Sequence, residues 1–145
     1  STFISSTYWS ERSGFSAALS TLNEMEKIKS WKIISKKGQY IKKKWKYLAK
    51  KNSLRLDING LDPLPSFQIK SKNWNIYKNL ITKIMLENNI LATNVIYLSI
   101  HHTKSKIDNY LSVLEKIFIK ISEIEKKKIF SNLSWNSVQK FQRLN

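Results

Sequence analysis

The sequence predicts an α+β fold, a small three-stranded, mainly antiparallel sheet covered by helices, in one domain over residues 1–145. Three observations carry this. Apolar residues recur at three- and four-residue spacing from Phe15 to Leu48, alternate from Leu54 to Ile69, and return to helical spacing after Trp74. The turn signal Asn59-Gly60 divides the alternating stretch. Val95 to Ile100 is apolar and β-branched, as a buried strand is.

In chain order, Phe3 to Ser10 is rich in hydroxyls and aromatics, and an amphipathic helix follows Ser13-Gly14. Phe15, Ala18, Leu19, Leu22, Met25 and Ile28 share one face of it. A hydroxyl-rich turn running into a helix N-terminus can bind an anion, because the first turn has free N–H groups and a positive dipole end. Chemistry alone favours the simpler reading, in which Ser10 or Ser13 only caps the helix. A second helix runs from Trp31 to Lys51, with Ile34, Gly38, Ile41, Trp45 and Leu48 on one face. Gly38 on that face permits close approach of another helix, and lysines crowd the other faces.

Leu54, Leu56 and Ile58 form a half-buried strand. After the Asn59-Gly60 turn, Leu61-Asp62-Pro63-Leu64-Pro65 lengthens the connection, and Phe67 and Ile69 form the second strand. The prolines fall outside both strands, as their missing N–H requires. Trp74 to Asn88 is a third helix, with Tyr77, Leu80, Ile81, Ile84 and Met85 inward. The third strand, Val95 to Ile100, is closed by His101-His102-Thr103, and Thr103 suits the N-cap of a long fourth helix. Val138, Phe141 and Leu144 suggest a last short helix.

The formal net charge is +16 with a pI near 10.0. Such a charge raises nucleic acid as a partner. However, the only arginines are Arg12, Arg55 and Arg143, and base readers lean on the bidentate fork of Arg. A solvated lysine surface is the preferred reading, and specific nucleic-acid binding is not expected. Cysteine is absent, so no disulfide or thiolate metal site exists. No apolar run has membrane-spanning length and no signal peptide is present, so a cytoplasmic protein off the membrane is expected. His101 and His102 are adjacent on a strand end and point to opposite faces, a poor arrangement for one metal. Asp57, Asp62 and Asp108 show no spacing for acid–base work, so no catalytic residue is assigned within the chain.

Four segments carry a family resemblance. Ser6-Thr7-Tyr8-Trp9-Ser10-Glu11-Arg12 precedes Ala17-Ala18-Leu19-Ser20-Thr21-Leu22. Leu61 to Phe67 reads LDPLPSF, and Met85 to Ala92 follows. Ser99-Ile100-His101-His102-Thr103 then leads to Ile107-Asp108. Together they resemble the C-terminal domain of class III, fold-type I aminotransferases, in the glutamate-1-semialdehyde aminomutase group. Phe141 to Asn145 is similar to the C-terminus of one sub-branch.

The resemblance implies a homodimeric pyridoxal 5'-phosphate enzyme that moves an amino group from a small-molecule donor to a carbonyl acceptor. The chain would be its small domain, with the large domain and the Schiff-base lysine upstream, and inactive by itself. Thr7, with Ser6 beside it, would reach the cofactor phosphate of the neighbouring subunit. Asn94 and Tyr97 would stand where the family places substrate-contacting residues, though the family's own residues there are Glu and Arg. The family's Pro at the helix start is also replaced, by Phe15 after Gly14. The alternative is a free-standing lysine-rich domain that binds nucleic acid or another polyanion.

Overall fold

The structure is a computed structural model that describes residues 11–127. Six elements follow in order: α1 (Arg12–Ile28), α2 (Ser30–Lys51), β1 (Leu56–Asn59), β2 (Ser66–Ile69), α3 (Trp74–Glu87) and α4 (Lys104–Lys127). The expected last short helix lies outside the described residues.

β1 and β2 form an antiparallel hairpin in which Leu56 faces Ile69 and Ile58 faces Phe67. Period-2 alternation puts these four on one face and Asp57, Asn59 and Gln68 on the other. Helices α2, α3 and α4 cover the first face. Phe67 makes edge-on ring contacts with Trp45 of α2 at 4.8 Å, Trp74 of α3 at 6.3 Å and Phe118 of α4 at 5.8 Å. Such contacts favour the positive ring edge against a negative face. Below them lie Ile41, Tyr77, Ile81, Met85, Leu114, Ile117 and Ile121, all buried. The Trp45 indole N–H donates to the Tyr110 hydroxyl at 3.1 Å, which satisfies two buried polar groups. Burial drives the Tyr110 pKa upward, so this phenol stays neutral.

Two expectations need correction. The first is the strand count: the sheet has two strands, and Val95–Ile100 joins it only by an isolated antiparallel bridge, Ser66 to Val95. The segment is extended and in register. Phe67 N–H donates to Asn94 C=O at 3.0 Å, Ile96 N–H to Pro65 C=O at 3.1 Å, and Leu98 N–H to Pro63 C=O at 3.1 Å. In an antiparallel ladder each such pair exchanges two bonds. For Ile96 and Leu98 the return bonds would need N–H groups on Pro65 and Pro63, which have none, and for Phe67 the Asn94 N–H turns to Thr93 Oγ1 while the Asn94 side-chain amide takes its place. The prolines avoid both strands but stand on the ladder of the third, and they halve it.

The second concerns the start of α1. The helix begins at Arg12, so Ser13 and Gly14 lie in its first turn and not ahead of it. The N-cap is Glu11, without a side-chain cap bond. Ser13 Oγ instead donates to Glu11 Oε1 at 2.7 Å. First-turn N–H groups lack helical partners in any case, so serine and glycine disturb little there. Ser10 lies outside the described residues. At α4, by contrast, Thr103 Oγ1 accepts from Lys106 N–H, though at a long 3.4 Å.

Gly38 has the role its position suggested, against a different element. A Cβ there would stand 1.7 Å from the Asp62 carbonyl oxygen. The hairpin loop, not a helix, occupies the space. Asp62 is also held by Gln39 Nε2 at 2.9 Å and Lys42 Nζ at 2.9 Å, and Lys42 Nζ reaches Gly60 C=O at 2.8 Å. These bonds, Lys42 first, lower the Asp62 pKa. Gly38→Ala should therefore destabilise the fold by about 1–3 kcal/mol in chemical denaturation, as overpacking does. Helix propensity alone would stabilise by about 0.5–1 kcal/mol, so the sign of the change decides which effect wins.

Candidate functional site

The expected phosphate contacts, Ser6 and Thr7, lie outside the described residues. The expected substrate contacts lie within them, on the 94–98 segment. Asn94 is half-buried and its amide is engaged at both its nitrogen and its oxygen. Its Nδ2 donates to Phe67 C=O at 3.0 Å, and its Oδ1 accepts from Thr93 Oγ1 at 2.9 Å. Its backbone N–H turns to Thr93 Oγ1. Asn94 thus fastens the segment to β2, side chain and main chain together. Tyr97 differs: the side chain is 77% exposed and borders a cleft of about 470 Å³ between the 89–98 segment and the first turns of α4. Ile90, Ala92, Ile96, His102, Lys106 and Tyr110 also line this cleft. It is an apolar trough with a phenol, an imidazole and an ammonium at its edge.

The two histidines differ in exposure, but they lie in the turn before α4 and not on a strand end as expected. His101 is exposed. His102 Nδ1 lies 3.0 Å from both the backbone N–H and the hydroxyl of Ser99, and so shapes the turn before α4. Among the described residues no group of three potential ligands could hold a metal ion.

Sequence reasoning missed a carboxylate cluster at the other end of the sheet. Glu125 of α4 accepts on Oε1 from Ser71 Oγ at 2.6 Å and from Tyr77 OH at 2.8 Å. Ser71 Oγ also accepts from Asn73 N–H at 3.2 Å, ahead of α3. The cluster therefore ties α4 to the first turn of α3 and the end of β2. A cleft of about 640 Å³ opens beside it, rimmed by Arg55, Lys70, Lys72 and Lys126. With one carboxylate oxygen committed to two donors, Glu125 acts as a clamp. The available signal was Tyr77 itself: a tyrosine on a buried stripe needs an acceptor for its hydroxyl.

Lysines divide into two kinds. Lys37 Nζ donates to Ile100 C=O at 2.7 Å, Lys42 holds Asp62, and Lys51 pairs with Glu115 at 2.7 Å. Lys32, Lys36, Lys43, Lys46 and Lys50 are exposed. Helical periodicity sets these five opposite Ile41, Trp45 and Leu48, in a stripe facing water. None of the described lysines is buried. No described helix is long and apolar enough to cross a membrane.

No protein-family model matches the chain, and no curated protein matches it. Among solved structures the fold is similar to the PLP internal aldimine form of the FumI protein of Sphingopyxis sp. MTA144, with a TM-score of 0.73 and 14% sequence identity. The alignment covers 86% of this chain and 31% of that one. The chain therefore spans under a third of that protein's length, and at this identity the likeness is one of fold.

The Glu125 clamp has a pH signature. Burial, then the Glu125 bond, pushes the Tyr77 pKa from 10.0 up to about 12. The folded state thus holds this proton after the unfolded chain has released it. The stability contributed is intact below pH 10 and is lost as pH rises to about 12. Tyr110 adds a fall of the same sign. Tyr77→Phe should cost about 1.5–3 kcal/mol at neutral pH, as loss of a bond to a charged group does. It should also flatten the alkaline loss measured by denaturation across that window.

Proposed function

We propose that this chain is the C-terminal part of a pyridoxal-phosphate-dependent aminotransferase that resembles glutamate-1-semialdehyde aminomutase. The observation that carries the reading is the fold likeness to a PLP-bound protein three times as long, together with the four family-like segments in order. When bound, the cofactor supplies an electron sink for amino-group transfer. The described residues do not fit its site. A Schiff-base lysine needs a desolvating or cation-rich pocket, and every described lysine is at least partly exposed. The lysine is therefore assigned to the rest of the enzyme, and no step is derived through the cofactor.

What this chain would contribute is binding and enclosure. Thr7 and Ser6 would donate to the phosphate across a homodimer, where a hydroxyl and backbone N–H groups suit an anion. Tyr97, exposed beside its apolar trough, would face the substrate. Asn94 would contribute from the same segment, chiefly by fixing the level at which Tyr97 projects. Transaminase and aminomutase chemistry are both compatible with these roles. The second reading, polyanion binding, rests on the stripe from Lys32 to Lys50. Salt-labile binding without sequence preference is the outcome expected for such a stripe, since lysine neutralises phosphates without reading bases. A preference among duplexes that survives physiological salt would favour that reading instead.

The test is expression of the complete reading frame that contains this chain, followed by absorbance spectroscopy with added pyridoxal phosphate. An internal-aldimine band is expected, and it should survive substitution of any lysine in residues 11–127. Loss of the band on one such substitution would overturn the assignment. In the same enzyme, Thr7→Val should weaken cofactor affinity about ten- to hundredfold, the worth of one hydrogen bond to a charged phosphate. If Thr7 serves the opposite subunit, mixing this variant with one lacking the catalytic lysine should restore activity. One of the two sites in the heterodimer then has neither defect.

A further inference from the structure

The cleft beside Glu125 gathers positive charge from three parts of the chain. Arg55 stands just ahead of β1, Lys70 and Lys72 lie between β2 and α3, and Lys126 is in the last turn of α4. The Lys70 N–H donates to Arg55 C=O at 2.9 Å, which closes the end of the hairpin at this wall. Lys70 Nζ is paired with Asp57 at 2.9 Å. The side chains of Arg55, Lys72 and Lys126 have no ion pair or hydrogen bond among the described residues. Lys126 also faces the negative end of α4, which accounts for one cation there but not for three. On a single helix face such charges would be ordinary solvated lysines. Here they come from separate elements and meet across a concavity, where their fields add. The one acid in the lining is Glu125, and its Oε1 already accepts from Ser71 and Tyr77.

A second observation lies deeper. Ser122 of α4 also lines the cleft, though it is only 6% exposed. A hydroxyl inside a helix commonly bonds the carbonyl four residues earlier, as Thr21 and Thr82 do. The Ser122 hydroxyl has no partner among the described residues. A hydroxyl donor without a partner therefore lies below a rim of cations. Asn73, which heads α3 without a side-chain cap bond, is in the same lining, so the positive end of that helix also opens here.

Arg55 selects the anion. The only other arginines are Arg12 and Arg143. A guanidinium matches two oxygens of one phosphate, which an ammonium cannot do. Three unpaired cations against one carboxylate suit a phosphate monoester, which carries about −1.5 to −2 at pH 7, better than a singly charged carboxylate. The volume of about 640 Å³ is that of a small-molecule site and exceeds what a bare phosphate fills. Leu54 and Ile69 supply apolar surface in it. We infer that this cleft binds the phosphate monoester of a small organic molecule. Arg55, Lys72, Lys126 and the Ser122 hydroxyl hold the phosphate, and the organic part lies against Leu54 and Ile69. A nucleic-acid backbone needs a track of cations along a groove, and a closed-in cluster does not offer one.

Calorimetric titration of the complete protein with phenyl phosphate, and separately with inorganic phosphate, tests it. Phenyl phosphate should bind, and more tightly than inorganic phosphate. Arg55→Gln should weaken it about ten- to hundredfold, and Ser122→Ala about tenfold. Lys72→Gln and Lys126→Gln should each weaken it severalfold. Lys32→Gln and Lys36→Gln remove the same charge from the α2 stripe and should leave it unchanged. In the unsubstituted protein, the amides of residues 71–73 should exchange more slowly with deuterium once phenyl phosphate is bound. Absence of binding by either anion up to roughly 10 mM would overturn the inference. So would equal losses in the α2 variants, which would mean diffuse attraction. Equal affinity for the two anions would remove the organic part and with it the ester. Binding lost in Thr7→Val and kept in Arg55→Gln would assign the ester to the cofactor contact proposed above and overturn the cleft alone. Binding of a single-stranded oligonucleotide that needs Arg55, without binding of phenyl phosphate, would give the cleft to nucleic acid and also overturn it.

Discussion

Phe67 is the residue on which the rest of the structure depends. Its ring meets an aromatic ring from each of α2, α3 and α4. Its strand position sets it across from Ile58, and its backbone N–H and C=O both bond to Asn94. Side chain and main chain thus join three helices, the hairpin and the 94–98 segment at one point. The neighbouring prolines keep that point from becoming an ordinary three-stranded sheet. Pro63 and Pro65 supply carbonyls and no N–H, so the segment beyond Asn94 is held from one side only.

Much of this was legible in the sequence because it followed from period. The stripes on α2, α3 and α4 and the alternation of β1 and β2 appear where the apolar residues require them. The third strand was over-read because Val95–Ile100 has strand composition, while its fault lies in the partner it pairs with. Composition describes one strand, whereas a ladder needs two. Ser13-Gly14 was read as a turn because those residues break helices in their interiors; in a first turn the penalty is small. Lys42 and Lys51 were read among solvated charges, although Asp62 and Glu115, far away in sequence, engage them. Glu125 was invisible for the same reason. Of the expected site residues, Tyr97 stands exposed by a trough and Asn94 is tied into the fold. No single-chain pattern separates those two outcomes.

Charge distribution separates the two functional readings more sharply than total charge does. The lysine stripe of α2 faces water on the side away from the core, and it needs no ligand to be stable there. Exposed lysine is the ordinary state of a solvated helix face. The apolar face of α1 is the unusual one. Large apolar side chains exposed on α1, and a buried Ser30 hydroxyl without a partner among the described residues, both cost free energy. A surface with these features has its reason in what covers it. Such a face is expected where another surface packs, and the lysine stripe of α2 carries no such requirement.

The register of the 94–98 segment connects these levels. Asn94 bonds Phe67 through both its backbone carbonyl and its side-chain amide, and this fixes which residues follow inward. Ile96 and Leu98 turn to the core, where they pack as partly buried side chains. By alternation Val95 and Tyr97 turn to the opposite face. A slip of one residue would exchange the two sets, burying the Tyr97 phenol and exposing Leu98. The prolines forbid the compensating bonds that would stabilise a slipped ladder, because they can only accept. The exposure of Tyr97 is thus a consequence of Asn94, Pro65 and Pro63 acting on the backbone. The position of Tyr97 is set by three residues that need not touch whatever Tyr97 itself contacts.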